Sequence, residues 1–250
     1  MNYIVLDLEF NGRRHYNVYP MEIIEIGAVK LNEKLEVIDT FQSYIRPLYP
    51  INQFALQFCR IPKTTLLNSD PFTKVISRFI DFCGTDYTML AWGGSDFFNL
   101  FVDCKVNNVA SDWLVNLLDF TSFFEGGLQQ ALAEHSLSPI GQHHSALDDA
   151  LNAAQLLKLK PDLLQSEKYF VPNHFKICTG GIKKWISLCL EQAKKQGKIL
   201  TWDSFKEDDK TKTYFSVMHL TPEEINMVKT LFNKFFSMTY GRKSKKLQTV

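Results

Sequence analysis

Short apolar runs dense in β-branched and aromatic residues mark the first part of the chain, and from Pro71 apolar positions recur mostly in steps of three and four, with further strand-like runs between. Three runs, YIVLDLEF, MEIIEIGAVKL and EVIDTFQSYIRP, are rich in Ile, Val, Phe and Tyr and are joined by short polar turns, which predicts three strands. Connections this short favour antiparallel neighbours, because a parallel crossover needs roughly a dozen residues. From Pro71 the spacing becomes helical in PFTKVISRFIDFC, with Pro71 in the first turn. YTMLAW then predicts a strand, DFFNLFVDCKV a helix and DWLVNLLDF a further strand. GLQQALAEHSL and SALDDALNAAQLLKLK are rich in Ala, Leu and Gln without an internal breaker and predict two more helices. A meander followed by alternating strand and helix predicts an α/β fold, a mixed five-stranded sheet with its first three strands antiparallel and helices against it.

After LKPDLLQSEKYFVPNH the composition shifts, and the reading places a domain boundary near residue 172. Residues 173–250 predict a helix over GIKKWISLCLEQAKKQGK, a strand over TYFSVMHL and a last helix. That helix opens at Thr221 with Pro222 at its first position and Glu224 three residues on, a capping-box pattern. Its Ile225, Val228, Leu231, Phe232 and Phe235 form an apolar stripe that calls for packing, and the end, GRKSKKLQTV, reads as frayed.

Charge sharpens this division. The chain carries a net charge of only +1, yet residues 1–172 hold 13 Lys and Arg against 20 Asp and Glu, a net of −7, whereas residues 173–250 hold 15 against 7, a net of +8. A basic extension is suited either to a polyanion or to the acidic part of the same chain, and a solvated lysine-rich surface fits as well. The five cysteines are scattered, odd in number and contain no CxxC pair; this argues against a disulfide framework or a zinc site and leads to the expectation of a reducing, cytoplasmic setting. No apolar run reaches the roughly 18 residues of a membrane span, and Asp7 and Glu9 interrupt what a secretory signal would keep apolar.

Those two residues carry the candidate chemistry. Asp7 and Glu9 are two apart in an apolar run, so on a strand their carboxylates share a face, where they repel and resist desolvation unless something positive meets them. A third acid, Asp96 in AWGGSDFFNL, follows a strand and a Gly-Gly loop, a usual location for binding groups. The fourth is in HHSALDDALNAA. There Ser145 is placed as an N-cap and Asp148 as its capping-box acid, which leaves Asp149 without a structural role and His144 just outside the helix. Each element alone has an ordinary explanation: a strand carboxylate pair, an acid serving a helix dipole, a surface histidine.

In combination and order, the stretches LDLEF, EIIEIGAV, AWGGSD and HSALDDA, with the YIRP…FC…I segment between, resemble the DEDDh 3′–5′ exonucleases of the DnaQ-like, RNase H-like superfamily over about residues 1–160, closest to the Eri-type exoribonucleases and KapD-like bacterial exonucleases. CRIPKT replaces the family's commoner LTGI turn, which leaves the nearby substrate path open. The resemblance implies that Asp7, Glu9, Asp96 and Asp149 hold two Mg²⁺ or Mn²⁺ ions, with Asp7 bridging them, and that His144 is the general base. It implies hydrolysis of single-stranded nucleic acid from its 3′ end to nucleoside 5′-monophosphates, RNA being favoured over DNA. Leu8, Phe10, Asn11 and Trp92 are the candidate substrate contacts; Phe10 could equally be a core residue. Arg13 and Arg14 are further candidates for phosphate contacts. The alternatives are a DNA exonuclease of the repair or proofreading type and a KapD-like regulatory or adaptor protein with little turnover.

Overall fold

The computed structural model describes residues 1–12, 18–165 and 180–241. The boundary near residue 172, Arg13, Arg14 and the tail from Arg242 onward lie outside the described residues. Two compact units are present: residues 1–12 with 21–165, and residues 18–20 with 180–241.

The first unit is built on the predicted meander. Strands β1 (Asn2–Asn11), β2 (Glu22–Leu31) and β3 (Val37–Arg46) pair antiparallel in sequence. After helices α1 (Gln53–Cys59) and α2 (Lys63–Leu67), the two-residue strand β4 (Asp70–Pro71) adds in parallel to β3. Helix α3 (Phe72–Cys83) leads to β5 (Tyr87–Ala91), which lies parallel to β1. Helix α4 (Gly94–Val106) leads in turn to β6 (Leu117–Asp119), parallel to β5. The sheet order is β4-β3-β2-β1-β5-β6. It therefore has six strands rather than the five expected, because Asp70 and Pro71 find a ladder partner in Ile45 and Arg46 before α3 begins. The strand expected over DWLVNLLDF contracts to Leu117–Asp119, since Asn116 takes a positive φ of 52° and breaks the run.

Helices α5 (Leu128–Glu134) and α6 (Ala146–Leu159) complete this unit. Side-chain alternation splits its core into two layers. Ile4, Leu6 and Leu8 of β1 pack with Ile26 and Ala28 against residues of α3 and α4 such as Phe79 and Phe97. Val5 faces the other way, with Val29 and Leu90, onto Leu132 of α5 and Ala150, Ala153 and Leu157 of α6. Asp7 and Glu9 share parity with Val5 and so lie on the α6 side of the sheet.

The second unit contains α7 (Gly180–Lys195), α8 (Trp202–Lys206), α9 (Asp209–Val217) and α10 (Pro222–Tyr240). The strand expected over TYFSVMHL is a correction: most of this stretch belongs to α9. Asp208 caps it by accepting from the N–H groups of Lys210 and Thr211, and Thr211, Tyr214 and Met218 are all fully buried at helical spacing. Packing overrides the strand preference of its aromatic and β-branched residues. The predicted capping box at Thr221 forms with both of its hydrogen bonds. Trp202, Phe205 and Phe232 make an aromatic core, with ring centroids of Phe205 and Phe232 5.1 Å apart.

Candidate active site

Asp7 and Glu9 stand near the end of β1, opposite Gly27 and Glu25 of β2, and the register slips immediately after Glu9. Gly27 has a specific task. A Cβ there would stand 2.1 Å from backbone atoms of Ala146 and Leu147, so only glycine lets the first turn of α6 lie directly on β2. That close approach brings Asp149 to the strand carboxylates: donor oxygens of Asp7, Glu9 and Asp149 all lie within 4.8 Å of one another.

The α6 N-terminus differs from the predicted capping box. Ser145 occupies the N-cap position but its side chain makes no capping bond. Instead, Glu25 accepts from the Ala146 N–H at 3.3 Å and from Gln42 Nε2 at 2.7 Å. Asp148 accepts from the Gln142 N–H at 2.8 Å, beside Gly141 at φ +61°, and so pins the preceding loop. Asp149 accepts from the His144 N–H at 2.9 Å. This bond helps hold His144 at a φ of 66°, a conformation that non-glycine residues rarely adopt. Phe58 of α1 lies over the His144 imidazole at 3.8 Å between ring centroids, and His143 stacks on it at 3.6 Å.

Asp96 is buried in the first turn of α4. No side chain of its own caps that helix; Asp119 at the end of β6 accepts from the Gly94 N–H at 2.8 Å while also holding Thr121. Asp96 is outside the cluster of three, yet its charge acts directly on Asp7.

The electrostatics follow from this crowding. Burial, then the charges of Asp96, Glu9, Asp149 and Glu25, drive the Asp7 carboxyl well above the usual range. Asp96 is raised by burial and by Glu9 and Asp119. Burial pushes Glu9 up to about 7 against the opposing hydrogen bond from the Cys59 thiol, whose sulfur is 3.0 Å from Oε2. His144 goes the other way, lowered by burial, by His143 and by Arg60 against the opposing pull of Asp149, which favours its neutral imidazole. Among the described residues, no lysine or arginine pairs with Asp7, Glu9, Asp96 or Asp149. An all-oxygen donor set with no countercharge, in which Glu9, Asp96 and Asp149 are buried and Asp7 keeps a partly exposed edge, fits hard divalent cations such as Mg²⁺ or Mn²⁺.

The substrate candidates are placed differently from one another. Leu8 is in the apolar core on the opposite face of the sheet. Asn11 is 1% exposed, its amide bonded to Glu22 and to the Asn52 N–H. Phe10 packs partly against the core, and Trp92 rests on Phe120 and Phe124. Three residues that touch the site escaped sequence reasoning: Glu25, Cys59 and Phe58. A glutamate in the otherwise apolar EIIEIG run was a usable signal for Glu25; the other two depend on α1, a short helix that its sequence does not announce.

The family model described as Exonuclease (RNase_T) matches residues 4–157. The chain is 31% identical over 170 residues to a probable 3′–5′ exonuclease, KapD, of Bacillus subtilis, covering 62% of this chain and 82% of that protein. It is 28% identical over 158 residues to 3′–5′ exoribonuclease 1 of Homo sapiens, covering 54% of this chain and 45% of the relative. To the PolC-type DNA polymerase III of Caldanaerobacter subterraneus it is 26% identical over 162 residues, covering 62% and 11%. The chain thus spans less than half of either of these two relatives. Among solved structures, the nuclease domain of a DEDDh family member bound to rAMP superposes with a TM-score of 0.55 at 24% identity, covering 64% of this chain and 92% of that one. Cell-death related nuclease 4 superposes with a TM-score of 0.58 at 18% identity, covering 65% and 64%; at these identities the structures establish the fold. The chain belongs to the exonuclease family and is a 3′–5′ exonuclease of the DnaQ-like type, built on the RNase H-like fold.

Proposed function

We propose that the protein removes nucleotides from the 3′ ends of single-stranded nucleic acid, RNA in preference to DNA, with His144 as general base and Asp7, Glu9, Asp96 and Asp149 as holders of two divalent cations. The observation that carries this reading is the convergence of three carboxylates from two separate elements, all within 4.8 Å and without a countercharge among the described residues. Bound cations would neutralise the acids and stabilise charge on the attacking and leaving oxygens of an in-line displacement at phosphorus.

The protein's own groups do the rest. His144, kept neutral by its surroundings, takes the proton of the attacking water on a ring nitrogen. Asp149 fixes the His144 backbone through the bond from its N–H. The half-exposed Phe58 ring beside His144 offers a stacking surface for the terminal base. Phe10 and Trp92 retain partly exposed rings and are the sequence candidates best placed to assist, whereas Leu8 and Asn11 would act through their backbone or by supporting β1.

RNA is favoured by the likeness to exoribonuclease 1; the likeness to a PolC-type polymerase keeps DNA as the rival. End-labelled RNA and DNA strands of equal sequence, incubated with Mg²⁺, Mn²⁺ or EDTA, decide the matter. The expected result is a cation-dependent ladder of 3′-shortened RNA with nucleoside 5′-monophosphates released, and a slower ladder from DNA. Faster degradation of DNA would reverse the substrate assignment, and no ladder from either polymer would favour the adaptor reading.

A further inference from the structure

The proton transfer assigned to His144 leaves its neighbour unused. His143 is about half exposed, with its side chain at 48%, and its Nδ1 also lies 3.3 Å from Gln129 Nε2. Its ring stacks on His144 at 3.6 Å, and its Nδ1 stands 3.3 Å from each carboxylate oxygen of Asp149. Ligand atoms of His143, His144 and Asp149 all lie within 4.8 Å of one another. A distance of 3.3 Å is long for a hydrogen bond to a carboxylate. It matches the separation of adjacent donors on a tetrahedral Zn²⁺, roughly 3.3 Å for Zn–N and Zn–O bonds of about 2.0–2.1 Å.

The two overlapping donor sets differ in kind. Asp7, Glu9 and Asp149 offer oxygen alone and suit Mg²⁺ or Mn²⁺. His143, His144 and Asp149 offer two imidazoles and one carboxylate, the donor set of zinc and its transition-metal neighbours, which Mg²⁺ does not favour. We infer that His143, His144 and Asp149 form a second metal site, selective for Zn²⁺-class cations, whose occupation shuts down the exonuclease. An imidazole committed to a cation has no lone pair with which to take a proton, and Asp149 is drawn from the cluster it shares with Asp7 and Glu9. The inhibitory half of this inference rests on His144 being the base; the site itself does not.

Two readouts on the full chain separate these halves. Co²⁺, a spectroscopic stand-in for Zn²⁺, is titrated into wild-type protein and His143→Ala in the presence of saturating Mg²⁺. Visible d–d absorption should appear in the wild type, and binding of Co²⁺ and Zn²⁺ should weaken at least about 10-fold in the variant. The Zn²⁺ concentration that halves the Mg²⁺-supported rate, each protein normalised to its own zinc-free rate, should rise by a similar factor. His143 is a surface residue, and an unchanged melting temperature in His143→Ala confirms that the fold is not what moved. Equal affinity in the two proteins would overturn the site. Weaker binding with unchanged inhibition would overturn the inhibitory role, and full turnover by His144→Ala would separately refute its assignment as base.

Discussion

At the residue scale, the account depends on crowded carboxylates largely withdrawn from water and on one imidazole kept neutral. His144→Ala is expected to lower turnover at neutral pH by about 10² or more, the usual contribution of a general base, with the melting temperature unchanged. Single-turnover kinetics on labelled RNA measure it, and an undiminished rate would remove His144 from the chemistry. Asp7, Glu9, Asp96, His144 and Asp149 were all nameable from the sequence, because each is a chemically distinctive residue at a motif spacing. Glu25 and Cys59 were not. Their work is to hold other groups, Glu25 at the α6 N-terminus and Cys59 on Glu9, and such partnerships cross 121 and 50 positions of chain without a local signature.

At the element scale, the decisive contact is that of β2 with α6. Gly27 appears in the sequence only as one glycine in an apolar strand, and its purpose shows when the backbone of Ala146 and Leu147 is seen against it. Gly27→Ala forces a methyl group into backbone atoms that cannot swing aside. It should destabilise the first unit by about 3 kcal/mol, the upper end of overpacking penalties, and displace Asp149 from Asp7. Urea unfolding and a turnover assay check both effects; wild-type stability in this variant would mean that α6 does not sit on the strand as described. The meander, α3, α4, α6, α7 and α10 were legible because their periodicity is long and regular, and α5, at 7 residues, because its stretch is rich in Ala, Leu and Gln without a breaker. The helices α1, α2 and α8 were missed because they span only 7, 5 and 5 residues, too short for a period to register, and lack the helix-favouring composition that reveals α5. The misreading of α9 as a strand has another origin: Thr, Tyr, Phe and Val favour strands in isolation, and burial at positions 211, 214 and 218 outweighs that preference.

At the scale of the whole molecule, the cluster should make stability depend on pH and on cations together. A carboxyl with a native pKa above its unfolded value binds its proton more tightly when folded. The metal-free fold therefore loses stability as pH rises from the unfolded value of 4.5 through about 7 for Glu9, with Asp7 and Asp96 acting in the same direction. In EDTA the melting temperature should fall by about 5 °C or more between roughly pH 5.5 and 8.5, given a few degrees per kcal/mol for a unit of this size. Mg²⁺ or Mn²⁺ should restore most of it at the higher pH, and a pH-independent melt in EDTA would show that the acids are not strained. The most direct test of the central claim is anomalous diffraction from a crystal soaked in Mn²⁺. The account predicts anomalous peaks within bonding distance of Asp7, Glu9 and Asp149, one of them approached by Asp96. A fully occupied soak with no peak among these four side chains would contradict it.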